Sequence, residues 1–581
     1  MSPRRLDSRR RFLKALPTAL AAGAAVTVPA VSEALPQDVS PDVITADGLG
    51  IAQQIIGVNL PLTEREAARP LVARNRENYE ALRKVALPQD TEPAFSFRPA
   101  RPERSNRGTN GRPTAPADAS TRRLAVRPPR PRATEDLAFE PVTSLAKLIA
   151  ARQVSAVDLT KMYLDRLKRY DESLHCIVTL TESLALEEAA RADKELRAGR
   201  HRGPLHGIPY GIKDLFAVKG VTTTWGAKPY ANQMFDYDAT AVTRMRDAGA
   251  VLVAKLSTGE LAIGDLWFRA RTRNPWNPDR GSGGSSAGPA SATAAGLVGF
   301  AIGTETGGSI VSPASTCGVV GLRPTYGRVS RYGCMTLRWT LDKVGPLTRS
   351  IGDAALVLEA LQGPDGRDET VPDVHFHWES RGDIKGLRVG YVEREFASGG
   401  EADERSQAIA RGPIYDAAMD VYRKAGATLV PVTLPDLPAG AIYAVLNAEA
   451  GAMFDELVRG GGINELADKT TNGRANQLRA TRFIPAVEYI RAQRVRSLLV
   501  QRMNAVFEQV DVFLAPSQSE SVTMTNLTGH PAVVQPVGFV DGLPVALMIT
   551  GRLWDEATIL RAGAAFERAT EWHKRHPPLQ I

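Results

Sequence analysis

The chain has 581 residues, 43% of them hydrophobic and 23% charged, which excludes a disordered or low-complexity protein and leaves room for a large core. A formal net charge of +8 points at first to nucleic acid or a membrane surface, but ten arginines lie between Arg98 and Arg132 against only Glu103 and Asp118. That one stretch carries the whole excess, so the remainder is close to neutral and neither partner is expected.

At the N-terminus, Ser8-Arg9-Arg10-Arg11-Phe12-Leu13-Lys14 precedes an uncharged apolar run from Ala15 to Val31, then a small-residue exit at Ser32-Glu33-Ala34. Residues 1–34 therefore resemble a twin-arginine export signal. An uncleaved anchor is the alternative, but Pro17 and Pro29 interrupt a run already short for a span. Export implies a periplasmic or extracellular protein with no stable membrane association once the signal is removed. Residues 35–97 read as a short helical segment, with two helical stretches between Leu49 and Leu87. The second opens at Thr63, with Glu64 and Glu66 in its first turn. Residues 98–134, rich in Pro and Arg and nearly free of large apolar side chains, read as a solvated linker.

Residues 135–581 read as one large globular domain. Leu145, Leu148, Ile149, Leu159, Met162, Tyr163 and Leu167 recur at helical spacing. Ala250–Ala254 is a short continuous apolar run, the pattern of a strand buried on both faces. Leu387–Val392, Thr428–Val432, Val510–Ala515 and Val545–Ile549 look similar, and helical stretches (Tyr415–Lys424, Ala486–Val506, Ala557–Thr570) separate them. Strands alternating with helices predict an α/β architecture around a large, covered sheet. Cys176, Cys317 and Cys334 cannot pair fully and show no C-x-x-C spacing, so they read as structural thiols.

Three pieces carry chemistry. In Gly207-Ile208-Pro209-Tyr210-Gly211-Ile212-Lys213-Asp214-Leu215, a lysine sits in an apolar run. Desolvation lowers a lysine's pKa and turns it into a neutral base, although a lysine beside an aspartate is also the pattern of a surface ion pair. Gly281-Ser282-Gly283-Gly284-Ser285-Ser286-Ala287-Gly288 crowds hydroxyls into a permissive backbone. It lacks the lysine that a phosphate loop requires. In Gly303-Thr304-Glu305-Thr306-Gly307-Gly308-Ser309-Ile310, the residues from Thr306 to Ser309 offer consecutive N–H groups, as an oxyanion hole needs.

In this order and spacing the three pieces closely resemble the amidase signature family. Gly321-Leu322-Arg323-Pro324-Thr325-Tyr326-Gly327, Leu341-Asp342-Lys343-Val344-Gly345-Pro346 and Asn526-Leu527-Thr528-Gly529-His530-Pro531 extend the match, which spans roughly Thr143 to Trp572. The resemblance implies a large mixed sheet covered by helices on both faces, and hydrolysis of a carboxylic amide through a seryl acyl-enzyme. It implies Ser309 as nucleophile, and Ser285, joined to Gly284 by a cis peptide, as proton relay. Lys213 is then the base, Ser286 a support, and the N–H groups of Thr306, Gly307 and Gly308 the oxyanion hole. It implies a small-molecule amide substrate, no metal and no cofactor, and it is compatible with a homodimer. Where family members often carry arginine after Ile310, this chain has Val311, which predicts neutral acyl groups. Glu305 stands where many have aspartate.

Other readings are weaker. Gly284–Gly288 satisfies the G-x-S-x-G of an α/β-hydrolase, but the residues before it, Asn274–Arg280, read as a loop, not the strand that motif needs. Ser144-Leu145-Ala146-Lys147 satisfies S-x-x-K without any Lys-Thr-Gly partner. The histidines are scattered, and His375 and His377 read as surface residues. Within the family, the glutaminase subunit of a tRNA-dependent amidotransferase is the main alternative. Carbamate or ester hydrolysis also fits the same site. A binding protein without catalysis would not be expected to keep Lys213, Ser285 and Ser309 together.

Overall fold

The computed structural model describes residues 43–87, 94, 133–379, 382–397 and 402–579. The export signal and nearly all of the linker lie outside the described residues; those from Ile44 onward belong to one compact unit. The described strands are β1 (Ile177–Leu180), β2 (Pro209–Lys213), β3 (Val251–Leu256), β4 (Arg273–Asn274), β5 (Asn277–Gly281), β6 (Phe300–Glu305), β7 (Val320–Arg323), β8 (Lys343–Thr348), β9 (Arg388–Tyr391), β10 (Thr428–Pro431), β11 (Val512–Pro516), β12 (Ala532–Val540) and β13 (Leu543–Gly551). Eleven of them form one sheet in the order β1-β3-β2-β6-β8-β7-β12-β13-β11-β9-β10. Parallel triplets, β3-β2-β6 and β11-β9-β10, are joined by antiparallel pairing through β8, β7, β12 and β13. The fold is the expected mixed α/β sheet.

Continuous apolar strands explain why both faces are covered. Side chains alternate between faces along a strand, so an unbroken apolar run must bury both. Val512 and Leu514 join one apolar cluster while Phe513 and Ala515 join another; Leu547 and Ile549 divide from Ala546 and Met548 in the same way. The first cluster is completed by the helices Ile351–Leu361 and Glu556–Ala569, the second by Val311–Cys317 and Ala486–Gln509.

Two local expectations are corrected. Among the described residues Thr428–Pro431 is an edge strand that pairs only with β9, and its end residues Thr428 and Pro431 are exposed. Asn274–Arg280 is not a plain loop: β4 and β5 pair as a short hairpin, invisible to hydrophobic patterning because it is nearly all polar. It stays outside the main sheet.

The N-terminal helices are Ala46–Ile56 and Leu62–Arg83. Thr45 caps the first by accepting from the Gly48 N–H, and Gly57 ends it at φ 67°, a conformation open to glycine. The second opens one residue before Thr63 and packs on the helices Ala439–Val445 and Arg474–Thr481. Tyr79 and Leu82 join the second apolar cluster, and Arg479 pairs with Glu64 at 2.9 Å.

Candidate active site

Lys213 is the last residue of β2, and Glu305 the last of its parallel neighbour β6. Both strands therefore deliver chemistry at their carboxyl ends, where open α/β sheets bind ligands. After Glu305 the chain makes a tight turn into the helix Val311–Cys317, and the serine loop enters the helix Ala287–Ala294 beside it. The Ser286 N–H donates to the Ser309 carbonyl at 3.1 Å, stitching the two turns together. Three segments far apart in sequence thus meet at one point.

Lys213 is completely buried. Its Nζ lies 2.8 Å from Ser285 Oγ, 2.9 Å from Thr304 Oγ1 and 3.2 Å from Ser286 Oγ. No carboxylate pairs with it among the described residues. The adjacent Asp214 turns elsewhere, accepting from Lys255 Nζ at 2.8 Å and from the Thr224 N–H and hydroxyl. The surface-pair reading is thereby excluded. Burial lowers the Lys213 pKa to about 7, opposed in part by Cys334, Asp342 and Glu305. Ser285 is buried and follows a cis peptide bond from Gly284, as the family resemblance implied, while Ser309 is half-buried. Ser286 Oγ donates to the Thr304 carbonyl and accepts from the Thr304 N–H, tying its loop to β6.

The turn itself is held from beneath. Glu305, fully buried, accepts from the N–H groups of Ile310 and Val311 with one oxygen, and from Arg323 and Asn526 with the other. Burial alone would raise its carboxyl, but Arg323 and the N–H donors hold it below the usual range. Thr306 Oγ1 donates to Asp342 at 2.6 Å, and Asp342 also accepts from the N–H groups of Leu337 and Arg338. Gly308 takes φ 121°, and a Cβ on Gly307 would collide with the Tyr443 hydroxyl, so both positions call for glycine. Among the described residues the N–H groups of Gly307, Gly308 and Ser309 donate to no protein acceptor.

Thr304, Asp342, Arg323 and Asn526 act here although sequence reasoning did not single them out; all four stand inside the quoted motifs. Glu305 marked a departure in the pattern, yet its role is to brace the turn and not to line the pocket. Val311, too, is buried in an apolar cluster. His375 and His377 are exposed, and no cluster of metal-binding side chains occurs among the described residues. Ser286, the serine that the α/β-hydrolase motif would require as nucleophile, is fully buried and bonded to Thr304.

A model of the amidase family matches residues 158–524. The chain belongs to the amidase family. A glutamyl-tRNA(Gln) amidotransferase subunit of Chloroflexus aurantiacus is 38% identical over 490 residues, covering 76% of this chain and 98% of the relative. The corresponding subunit of Geobacillus thermodenitrificans is 37% identical, with 75% and 99% covered. Among solved structures, the peptide amidase of Stenotrophomonas maltophilia superposes with a TM-score of 0.69 at 31% identity, over 77% of this chain and 99% of that one. The glutamyl-tRNA(Gln) amidotransferase subunit of Thermotoga maritima gives 0.62 at 27% identity, over 76% and 96%. This amidase is accordingly an enzyme of amide C–N hydrolysis.

Proposed function

We propose that the amidase cleaves its substrate through a seryl acyl-enzyme, with Ser309 as nucleophile, Ser285 as relay and Lys213 as base. The contact set of Lys213 Nζ supports this reading most. A neutral amine has two N–H donors and one lone pair, and Nζ has three hydroxyl neighbours. Donating to Thr304 and Ser286 leaves the lone pair for the Ser285 proton. Ser285 then draws the proton of Ser309, whose Oγ attacks the amide carbonyl, and the N–H groups of Thr306, Gly307 and Gly308, with that of Ser309, receive the negative oxygen. The proton travels back along the same path to the departing nitrogen, and water releases the acyl group. Every proton in this cycle is carried by side chains of the chain itself.

The test is covalent labelling. Wild-type protein should take up a fluorophosphonate at Ser309, and Ser309→Ala should take up none. Labelled Ser309→Ala protein would end the assignment.

The glutaminase-subunit reading also has support, in the 38% identity to the Chloroflexus subunit. Against it stands the paired-arginine leader, for which we propose twin-arginine export to the periplasm or beyond, away from tRNA. Changing Arg9 and Arg10 to lysine should trap active precursor in the cytoplasm; undiminished export would overturn the twin-arginine route, and a wild-type protein that stays in the cytoplasm would favour the subunit.

A further inference from the structure

The hydrolysis described above leaves one cleft of the protein unused. It encloses about 350 Å³, part of it open to solvent, and none of the residues that line it is acidic. Phe139, Trp276 and Val319 give it an apolar wall, and the C-terminal run His573-Lys574-Arg575-His576 gives it a basic rim. The His573 Nδ1 atom is buried without a hydrogen-bond partner. Buried polar atoms are ordinarily bonded, so this one marks a place that a ligand completes. Lys574 and Arg575 are exposed. The first pairs with Glu571, also exposed, at 2.7 Å, and the second lies 4.1 Å from the centre of the Phe539 ring. An exposed pair of that kind is held weakly and exchanges for another anion at little cost. Arg349, buried in the lining, donates to the carbonyls of Phe139, Glu140, Thr293 and Val298 and makes no ion pair among the described residues.

The cleft lies at the far ends of the elements that carry the serines. Ser285 stands just before the helix Ala287–Ala294, and Ser309 just before Val311–Cys317; the last residues of both helices, Ala294 and Cys317, line the cleft. These helices are short, about 12 and about 10 Å at 1.5 Å per residue. Trp276 stands in the turn of the β4–β5 hairpin, and β5 runs directly into the serine loop. Its indole N–H donates to the Cys317 carbonyl at 2.8 Å, and the Cys317 thiol donates to the Ser282 carbonyl at 3.5 Å. A molecule seated against Trp276 therefore bears on the hairpin that leads into the serine loop and on both helices that follow the serines.

We propose that this cleft is a regulatory site for a small aromatic carboxylate, remote from the Ser309 turn. The ring packs on Trp276 and Val319, and the carboxylate lies at the rim, where His573, Lys574 and Arg575 supply donors and positive charge. Through the helix ends and the hairpin, its occupancy sets the reactivity of Ser309. That regulatory half rests on Ser309 as nucleophile, whereas the binding half does not.

Calorimetry with benzoate, on protein whose Ser309 is already blocked by a fluorophosphonate, reads the cleft apart from the catalytic turn. Benzoate should bind, and benzamide, which lacks the charge, should bind at least about tenfold more weakly. Lys574→Gln with Arg575→Gln alters exposed side chains only, so the fold is kept, and benzoate affinity should fall by at least about tenfold. Benzoate that binds only the unblocked protein, binds no better than benzamide, or binds the double variant as tightly as wild type would overturn the site. On unblocked protein, benzoate that fills the cleft should change the rate of Ser309 labelling at least about twofold in wild type and leave the double variant unaffected. An unchanged rate in wild type, or the same change in both proteins, would overturn the regulatory half. If wild type takes no label at all, the seryl reading fails instead, and benzoate binding to wild type against the double variant still decides whether the cleft is a site.

Discussion

Two buried lysines on neighbouring strands, one of them the base we propose, show how a partner sets what a lysine can do. Lys213 ends β2 and Lys255 lies on β3, in parallel register with Ile212 opposite Lys255. Both are completely buried, and burial lowers the pKa of both. Lys255 is locked by Asp214 at 2.8 Å and Thr223 at 2.7 Å. Lys213 meets hydroxyls alone. A carboxylate partner stabilises the ammonium and removes its use as a base; hydroxyl partners leave the amine free to accept a proton. Burial is common to both, so the partner decides the function.

The same substitution at each position should break the comparison in opposite directions. Lys213→Met should cost about three or more orders of magnitude in turnover, since relay members act as a unit. Its stability should change little, because the three hydroxyls it abandons remain near one another. Lys255→Met should instead strand Asp214 as a buried carboxylate without its countercharge, a loss of about 3–5 kcal/mol that denaturant titration would read. Asp214→Asn in that background should recover much of it. A Lys255→Met protein of normal stability but no activity would erase the distinction.

A smaller effect sharpens it. As the proposed base Lys213 would work only when neutral, and burial brings its pKa to about 7. The rate should therefore level off above about pH 7 and fall roughly tenfold per unit below it, as the amine takes up a proton. Lys255 imposes no such dependence, because it does not exchange protons with substrate. A flat kcat/KM from about pH 5 to about pH 8 on a pH-stable amide would contradict the assignment of the base.

The contrast also marks what sequence could show. Lys213, Ser285, Ser286 and Ser309 were legible because each sits in a short motif of characteristic composition, and the buried strands because apolar runs such as Val512–Ala515 need no partner to be recognised. Which lysine pairs with Asp214 was not legible. Adjacency in sequence suggested Lys213, but Asp214 lies in the turn that follows β2, and the true partner stands 41 positions away. The same holds for Glu305, whose partners Arg323 and Asn526 lie 18 and 221 positions along the chain. Those contacts exist only after the sheet has formed. The β4–β5 hairpin escaped for a different reason, since polar residues give periodicity nothing to measure.

The smallest effect concerns Ser286, the weakest of the three Lys213 contacts at 3.2 Å. Ser286→Ala leaves Nζ with Ser285 and Thr304, so the proton path from Ser309 is intact. It does remove a hydroxyl that both donates to the Thr304 carbonyl and accepts from the Thr304 N–H. Two buried backbone groups then lose that partner, a cost of about 1–3 kcal/mol for each one left unsatisfied. The variant should therefore label at Ser309 and turn over within about one to two orders of magnitude of wild type, while melting earlier. Ser285→Ala, by contrast, should label poorly and keep its stability. If the two variants exchanged these behaviours, Ser286 and not Ser285 would be the relay, and the partner of Lys213 would have to be reassigned.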